Sequence, residues 1–144
     1  MHKRVLSILI LLAYSALLIK LLVLKDVSFT IGHLRLNFSG YATGPANFVP
    51  FKTIWPYFLG EKGGMIAIFN LIGNIALFVP IGFLVPFVCK SMTWRRTLIL
   101  AILAPLAIEG IQVAARVGIF DIDDVILNGL GVILGYGVYR MFVK

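Results

Sequence analysis

The stretch MIAIFNLIGNIALFVPIGFLVPFVC, residues 65–89, contains no charged side chain. A helix needs roughly 20 predominantly apolar residues to cross a bilayer, so this stretch predicts a membrane-spanning helix. Residues 5–24, 97–115 and 125–143 reach or closely approach the same length. We therefore expect an all-α integral membrane protein, a bundle of four transmembrane helices that occupies residues 1–144 as a single domain.

The composition agrees with this fold class. Hydrophobic residues make up 60% of the chain, charged residues only 13%, and the mean hydropathy of +1.02 excludes an ordinary soluble domain. Residues 26–64 form the only substantial segment outside the predicted helices. Within it, residues 28–38 alternate in polarity, which favours a short ribbon of two strands. Residues 47–58 are aromatic and apolar but too short to span, and they predict an interfacial or re-entrant segment. This segment either covers the polar residues as a lid or plugs the bundle.

The distribution of charge predicts the orientation of the helices. Short cytoplasmic loops of membrane proteins are enriched in Lys and Arg. With the N-terminus inside, the inner segments contain no acidic residue and carry Lys3, Arg4, Lys90, Arg95, Arg96, Arg140 and Lys144. We therefore expect a multi-pass protein with both termini in the cytoplasm and residues 26–64 outside. Membrane lipids with anionic headgroups account for the basic excess, and no nucleic-acid partner is expected.

Polar side chains are concentrated in the third and fourth predicted helices and the loop between them. Ionisable groups are costly in a membrane, and they commonly face the interior of a bundle. The topology brings three helices to a similar depth, which predicts an outward-opening pocket around Asn70, Glu109, Gln112 and Asn128, with a rim of Asp121, Asp123, Asp124 and Arg116. Asn74 shares a helix face with Asn70, and this pair either joins helices by hydrogen bonds or lines the pocket.

Three interpretations of this polar cluster remain open. In the first, it is structural: Arg116 pairs with an aspartate, and Asp121 or Asp123 caps the fourth helix. In the second, Asp121, Asp123 and Asp124 hold a divalent cation, because carboxylate and amide oxygens are ligands of calcium and magnesium. In the third, a buried Glu109 or Asp124 acts as a general acid or base.

Small residues in the last predicted helix indicate close packing. Gly131 and Gly135 form a G-x-x-x-G spacing, which lets two helices approach closely. We expect this spacing to serve packing within the bundle, and it also allows a homodimer face. Cys89 is the single cysteine, so neither a disulfide framework nor a cysteine metal site is expected.

The order of these motifs resembles that of the VanZ-like family of bacterial membrane proteins. The matching pieces are NFVPFKTI at residues 47–54, NLIGN at residues 70–74 followed by Phe78, Pro80 and Gly82, and then Glu109, Gln112, Arg116, FDIDD at residues 120–124, Asn128 and Gly131. The resemblance implies a small helical protein of the bacterial cytoplasmic membrane. It adds Asn47 to the site residues.

The resemblance also implies a function at the cell envelope. The namesake of the family is linked to low-level resistance to teicoplanin-type glycopeptide antibiotics, which act on lipid-linked cell-wall precursors at the outer face. We expect the pocket to bind a lipid headgroup, a cell-wall precursor or an amphiphilic glycopeptide antibiotic. The alternative is a membrane-embedded enzyme that acts on a lipid-linked sugar or phosphate, with Glu109 or Asp124 as acid or base. A transporter is disfavoured because the helices show no internal repeat.

Overall fold

A computed structural model, which describes residues 2–22, 27–30, 33–36, 44–59 and 64–143, contains four long helices. All four are long and apolar enough to cross a membrane. The predicted all-α bundle is therefore confirmed. The elements in chain order are α1 (His2–Leu22), β1 (Val27–Thr30), β2 (His33–Leu36), α2 (Trp55–Phe58), α3 (Gly64–Val88), α4 (Trp94–Ala114) and α5 (Ile122–Phe142).

Side-chain caps set the starts of the last two helices. The prediction began them at residues 97 and 125, at the first apolar run, whereas α4 begins at Trp94 and α5 at Ile122. The Thr93 hydroxyl accepts a hydrogen bond from an N–H in the first turn of α4, and the Asp121 carboxylate does the same for α5. A cap satisfies backbone donors that would otherwise lack a partner, so it starts the helix before the apolar run.

The short ribbon predicted between the first two spanning helices is present. β1 and β2 pair antiparallel, with Val27 opposite Leu36 and Thr30 opposite His33. The prediction extended this ribbon to residue 38, and residues 37 and 38 lie outside the described part of the chain. The ribbon is a small addition to a helical bundle, which agrees with the predicted architecture.

The centre of the bundle is the interface between α3 and α5. α5 also packs on α4, and α1 lies against α3. Phe78, Ala101 and Val132 form the buried core where α3, α4 and α5 meet. A Cβ atom at Gly131 or Gly135 would overlap a backbone carbonyl oxygen of α3. The G-x-x-x-G face is thus filled by α3 of the same chain and serves packing within the bundle, as predicted.

Helix α1 is peripheral. Leu18 is its buried side chain, while most of its other apolar residues are exposed, as expected for a surface that contacts lipid. The Tyr14 hydroxyl donates a hydrogen bond to the Leu77 carbonyl oxygen of α3 at 2.7 Å. Because a hydrogen bond is strong where water is scarce, this contact fixes α1 against the bundle.

The two ends of the bundle differ in charge. α3 and α5 begin at the end where α1 and α4 finish. We name this the acidic end, because it holds Glu109, Asp121, Asp123 and Asp124. The opposite end is named the basic end, because it holds Lys90, Arg95, Arg96 and Arg140. The candidate site residues lie near the acidic end.

Candidate functional site

The segment at residues 47–54 lies across the start of α5. The Asn47 N–H donates to the Phe120 carbonyl at 2.8 Å, and the Ile122 N–H donates to the Asn47 carbonyl at 3.0 Å. The Asn47 amide also donates to Asp121 Oδ1 at 2.8 Å. Asn47 therefore joins the segment to the first residues of α5 through both its backbone and its side chain.

The Asp123 carboxylate organises this segment. Its Oδ1 accepts the Phe51 N–H at 2.5 Å, and its Oδ2 accepts the Thr53 N–H at 2.7 Å and the Thr53 hydroxyl at 2.6 Å. A longer bond at 3.3 Å comes from the Ile54 N–H. Only 1% of Asp123 is exposed. The prediction that Asp123 forms part of the pocket rim is therefore wrong, because its oxygens are occupied by the backbone they order.

Asp121 is the cap of α5, which confirms one of the two predicted candidates for that role. Its Oδ1 accepts the Asp123 N–H at 2.9 Å, and its own N–H donates to Glu109 Oε2 at 3.2 Å. Glu109 is 3% exposed. The buried Glu109 carboxylate thus links α4 to the start of α5, and it has a structural partner that the sequence did not indicate.

A cavity of about 340 Å³ opens at the acidic end between α3, α5 and the segment that ends in α2. Its polar lining consists of Thr53, Tyr57, Asn70, Asn74, Asp121 and Asp124, and its apolar lining consists of Ile54, Leu71 and Leu127. No cationic side chain belongs to this lining among the described residues. The cavity therefore presents carboxylates, amides and hydroxyls to any occupant.

Two hydrogen bonds orient the polar groups of this cavity. The Asn74 amide donates to Asp124 Oδ1 at 2.6 Å, which connects α3 to α5. The Asn70 amide donates to the Tyr57 hydroxyl at 3.4 Å, which connects α3 to α2. Both asparagines thus join elements and line the cavity, so the two alternatives considered for them are compatible.

The structure separates the four residues that were expected to surround the pocket. Asn70 lines the cavity, whereas Glu109, Gln112 and Asn128 are not among its lining residues. The Gln112 amide donates to the Leu22 carbonyl of α1 at 2.9 Å. Asn128 is buried, and its Oδ1 has no hydrogen-bond partner in the described part of the chain. For Glu109 and Gln112 the cause is the position of α4, whose polar residues face the start of α5 or α1.

Arg116 ends α4. It adopts the left-handed conformation with φ 59°, its N–H donates to the Val113 carbonyl at 3.0 Å, and the Val117 N–H donates to the Gln112 carbonyl at 2.9 Å. These two bonds form a Schellman motif, which closes a helix C-terminus. Arg116 is exposed, and within the described ranges it forms no ion pair with an aspartate. The structural interpretation considered a pair between Arg116 and an aspartate, and Asp121, Asp123 and Asp124 do not form one.

The three aspartates do not form a common site for a cation. Among the residues that the structure describes, no three His, Cys, Asp or Glu side chains come together closely enough to hold a metal ion. Asp121 bonds to Asn47, Asp123 to the backbone at residues 51–54, and Asp124 to Asn74. The three carboxylates thus have different partners, and only Asp121 and Asp124 line the cavity.

The segment next to the cavity exposes large apolar side chains. Its backbone is fixed by Asp123, while Phe48, Val49, Phe51, Trp55 and Leu59 are all more than half exposed. Exposed apolar groups in this number mark a surface that contacts lipid or another molecule. The geometry fits the predicted interfacial segment, and Thr53, Ile54 and Tyr57 place part of it over the cavity.

Two polar residues of the cavity, Thr53 and Tyr57, were not among the site residues predicted from the sequence. Thr53 lies within the motif at residues 47–54, so its position in that motif was the available signal. Tyr57 was assigned to the aromatic interfacial segment, without a role in the pocket. Both residues enter the cavity because the segment folds back over α5, which a local pattern does not show.

Comparison with known proteins identifies the family. The family model described as VanZ/LLP1 matches residues 9–143, which is nearly the whole chain. No curated protein and no solved structure matches the chain significantly. The match includes both sides of the acidic-end cavity, the whole of α3, α4 and α5, and α1 from residue 9 onward. The chain therefore belongs to the VanZ/LLP1 family.

Proposed function

We propose that the acidic-end cavity binds the polar headgroup of an amphiphile, namely a membrane lipid, a cell-wall precursor or a glycopeptide antibiotic. The observation that carries this proposal is a polar cavity directly beside exposed apolar side chains. Thr53 and Tyr57 line the cavity, while Phe51 and Trp55 of the same segment are exposed. A headgroup fits the cavity while its hydrocarbon part contacts the apolar surface.

The lining favours occupants that donate hydrogen bonds. Asp121 and Asp124 accept hydrogen bonds when ionised, and Asn70 and Asn74 add amide groups. A bare phosphate would meet two carboxylates without a cation among the described lining residues, so it would be repelled. Sugar hydroxyls and ammonium groups suit this lining, because charged acceptors form the stronger hydrogen bonds.

The charges of the two ends of the bundle support a position of the acidic-end cavity in the outer leaflet. The basic end fits the cytoplasmic side, since Lys and Arg are enriched there, and the acidic end then faces outward. In a bacterial cytoplasmic membrane, that orientation places the cavity where lipid-linked precursors and antibiotics are encountered. This arrangement supports the proposal that the protein contributes to envelope function or antibiotic resistance.

Native mass spectrometry of the protein in mild detergent tests the proposal. We expect the wild type to retain an amphiphile whose headgroup carries sugar or amine groups, and we expect Asp124→Asn and Asn70→Ala to lose it. Glu109→Gln is the matched control, because its amide oxygen still accepts the Asp121 N–H outside the cavity. Retention by all variants, or a wild type that binds neither teicoplanin nor a short-chain lipid-linked sugar, would overturn the proposal.

A second candidate function is catalysis at the same cavity. Asp121 and Asp124 both line it, and two carboxylates beside one substrate can divide the acid and base roles. Glu109 does not line the cavity, which leaves Asp124 as the better candidate for proton transfer on a lipid-linked substrate, and the lining favours its sugar over its phosphate. Product formation from such a lipid by the wild type and Glu109→Gln, but not by Asp124→Asn, would establish an enzyme.

A further inference from the structure

A second cavity lies at the basic end, on the opposite side of the bundle from the proposed headgroup site. It has a volume of about 460 Å³ and lies between the C-terminal parts of α3 and α5 and the turn into α4. Lys90, Tyr139 and Arg140 contribute to its lining, together with Met92 and Tyr136. Two cationic side chains therefore line one space.

Among the described residues, no acidic side chain balances the charge of this cavity. Neither Lys90 nor Arg140 forms an ion pair within the described ranges. All lining residues come from residues 62–108 and 125–144, and neither stretch contains an Asp or a Glu. Two helix C-termini contribute roughly −0.5 charge each, whereas the two side chains contribute a full positive charge each. The cavity is therefore net positive and suits an anion.

Aromatic packing holds the wall of the cavity. The Tyr139 ring packs edge-on against Phe87 with ring centroids 5.1 Å apart, and Tyr136 packs edge-on against Trp94 at 4.8 Å. The Tyr136 hydroxyl donates to the Met92 carbonyl at 3.1 Å. The wall is thus rigid, and a preformed site loses less entropy when a ligand binds.

We propose that this cavity binds the phosphate of an anionic phospholipid, with Lys90 and Arg140 holding the phosphate and Tyr139 donating its hydroxyl. Within the described residues, no other group forms a hydrogen bond with the Tyr139 hydroxyl. The cavity lies at the end of spanning helices, where lipid phosphates are found. Met141 and Phe142, next to Arg140, are about three-quarters exposed and offer an apolar surface for the acyl chains.

Titration of the full-length protein in detergent with dioctanoyl phosphatidylglycerol tests this assignment. Each cation near an anionic lipid contributes about a fivefold gain in affinity. We expect the double variant Lys90→Gln/Arg140→Gln to bind about 30-fold more weakly than the wild type. The matched control Arg4→Gln/Arg95→Gln removes two exposed cations from the same end outside the cavity, and we expect less than about a threefold change.

Two comparisons on the wild type separate the sources of the phosphate. Dioctanoyl phosphatidylcholine, which has no net charge, should bind at least tenfold more weakly, and inorganic phosphate should not compete at millimolar concentration. Equal weakening in both double variants, equal binding of the two lipids, or competition by inorganic phosphate would each overturn the assignment. If Lys90→Gln/Arg140→Gln does not fold, the two wild-type comparisons alone test whether the cavity binds an anionic phospholipid.

Discussion

Replacing Asp123 by Asn should release the segment at residues 51–54 while the helices stay folded. The substitution keeps the size of the side chain but removes its charge, and it replaces one accepting oxygen by an NH2 group. The amide can turn either way, and the orientation that keeps an oxygen at the Oδ2 position retains the bonds from Thr53 and Ile54. Its NH2 group then faces the Phe51 N–H, now bonded to Oδ1 at 2.5 Å, so two donors oppose each other.

The size of this effect follows from the hydrogen bonds. A hydrogen bond to a charged acceptor contributes about 1.5–3 kcal/mol. The Phe51 N–H bond is lost, and the Thr53 and Ile54 bonds change from a charged to a neutral acceptor. We expect a total of about 3 kcal/mol, which corresponds to roughly a 100-fold increase in local opening. The segment can open into water, so this cost is local.

Hydrogen exchange of the backbone amides measures this opening. In Asp123→Asn, the amides of Phe51, Thr53 and Ile54 should exchange about 100-fold faster, while the core amides of α3 and α5 keep their protection. Asp124→Asn is the matched control, because the neighbouring carboxylate bonds to Asn74 and not to the segment. Unchanged protection in Asp123→Asn would refute the view that one carboxylate holds the segment.

Three further substitutions test other features of the structure. Arg116→Gly should stabilise the protein by about 1 kcal/mol in detergent unfolding, because φ 59° strains a residue with a Cβ; a loss of stability would contradict this. Gly135→Ala should lower Tm, because overpacking against the Val79 carbonyl costs about 1–3 kcal/mol, whereas Gly137→Ala points into open space and should not. Ser91→Ala should slow alkylation of Cys89 near neutral pH, because the Ser91 hydroxyl lowers the pKa of that thiol; an unchanged rate would contradict this.

The fold could be predicted from local sequence patterns, because membrane insertion depends on the length and polarity of continuous stretches. Each of the four apolar runs became one helix, and the alternating stretch became a ribbon. The capping role of Asp121 was also foreseen, since the first turn of a helix needs an acceptor close by in sequence. The predicted starts of α4 and α5 were too late, because the prediction followed the apolar run and the capping residue precedes that run.

The residues of the site could be predicted only in part from the sequence. Spacing placed Glu109 and Gln112 on one side of a helix, yet one contacts the start of α5 and the other contacts α1. The same spacing could not show that Asp123 turns away from the cavity to bind the segment that contains Thr53. The packing of a helix between two neighbours divides residues that its periodicity groups together.

By itself, the sequence determined four spanning helices, a concentration of acids at one end and of cations at the other, and membership of a family with these motifs. Only the tertiary structure decided that Asp124 and Asn74 share a cavity, that Arg116 closes the end of a helix, and that the three aspartates bond to different partners. The physical reason is the distance along the chain over which each effect acts. Hydropathy is a property of a continuous stretch, whereas these hydrogen bonds form between segments that are distant in sequence and meet only when the bundle packs.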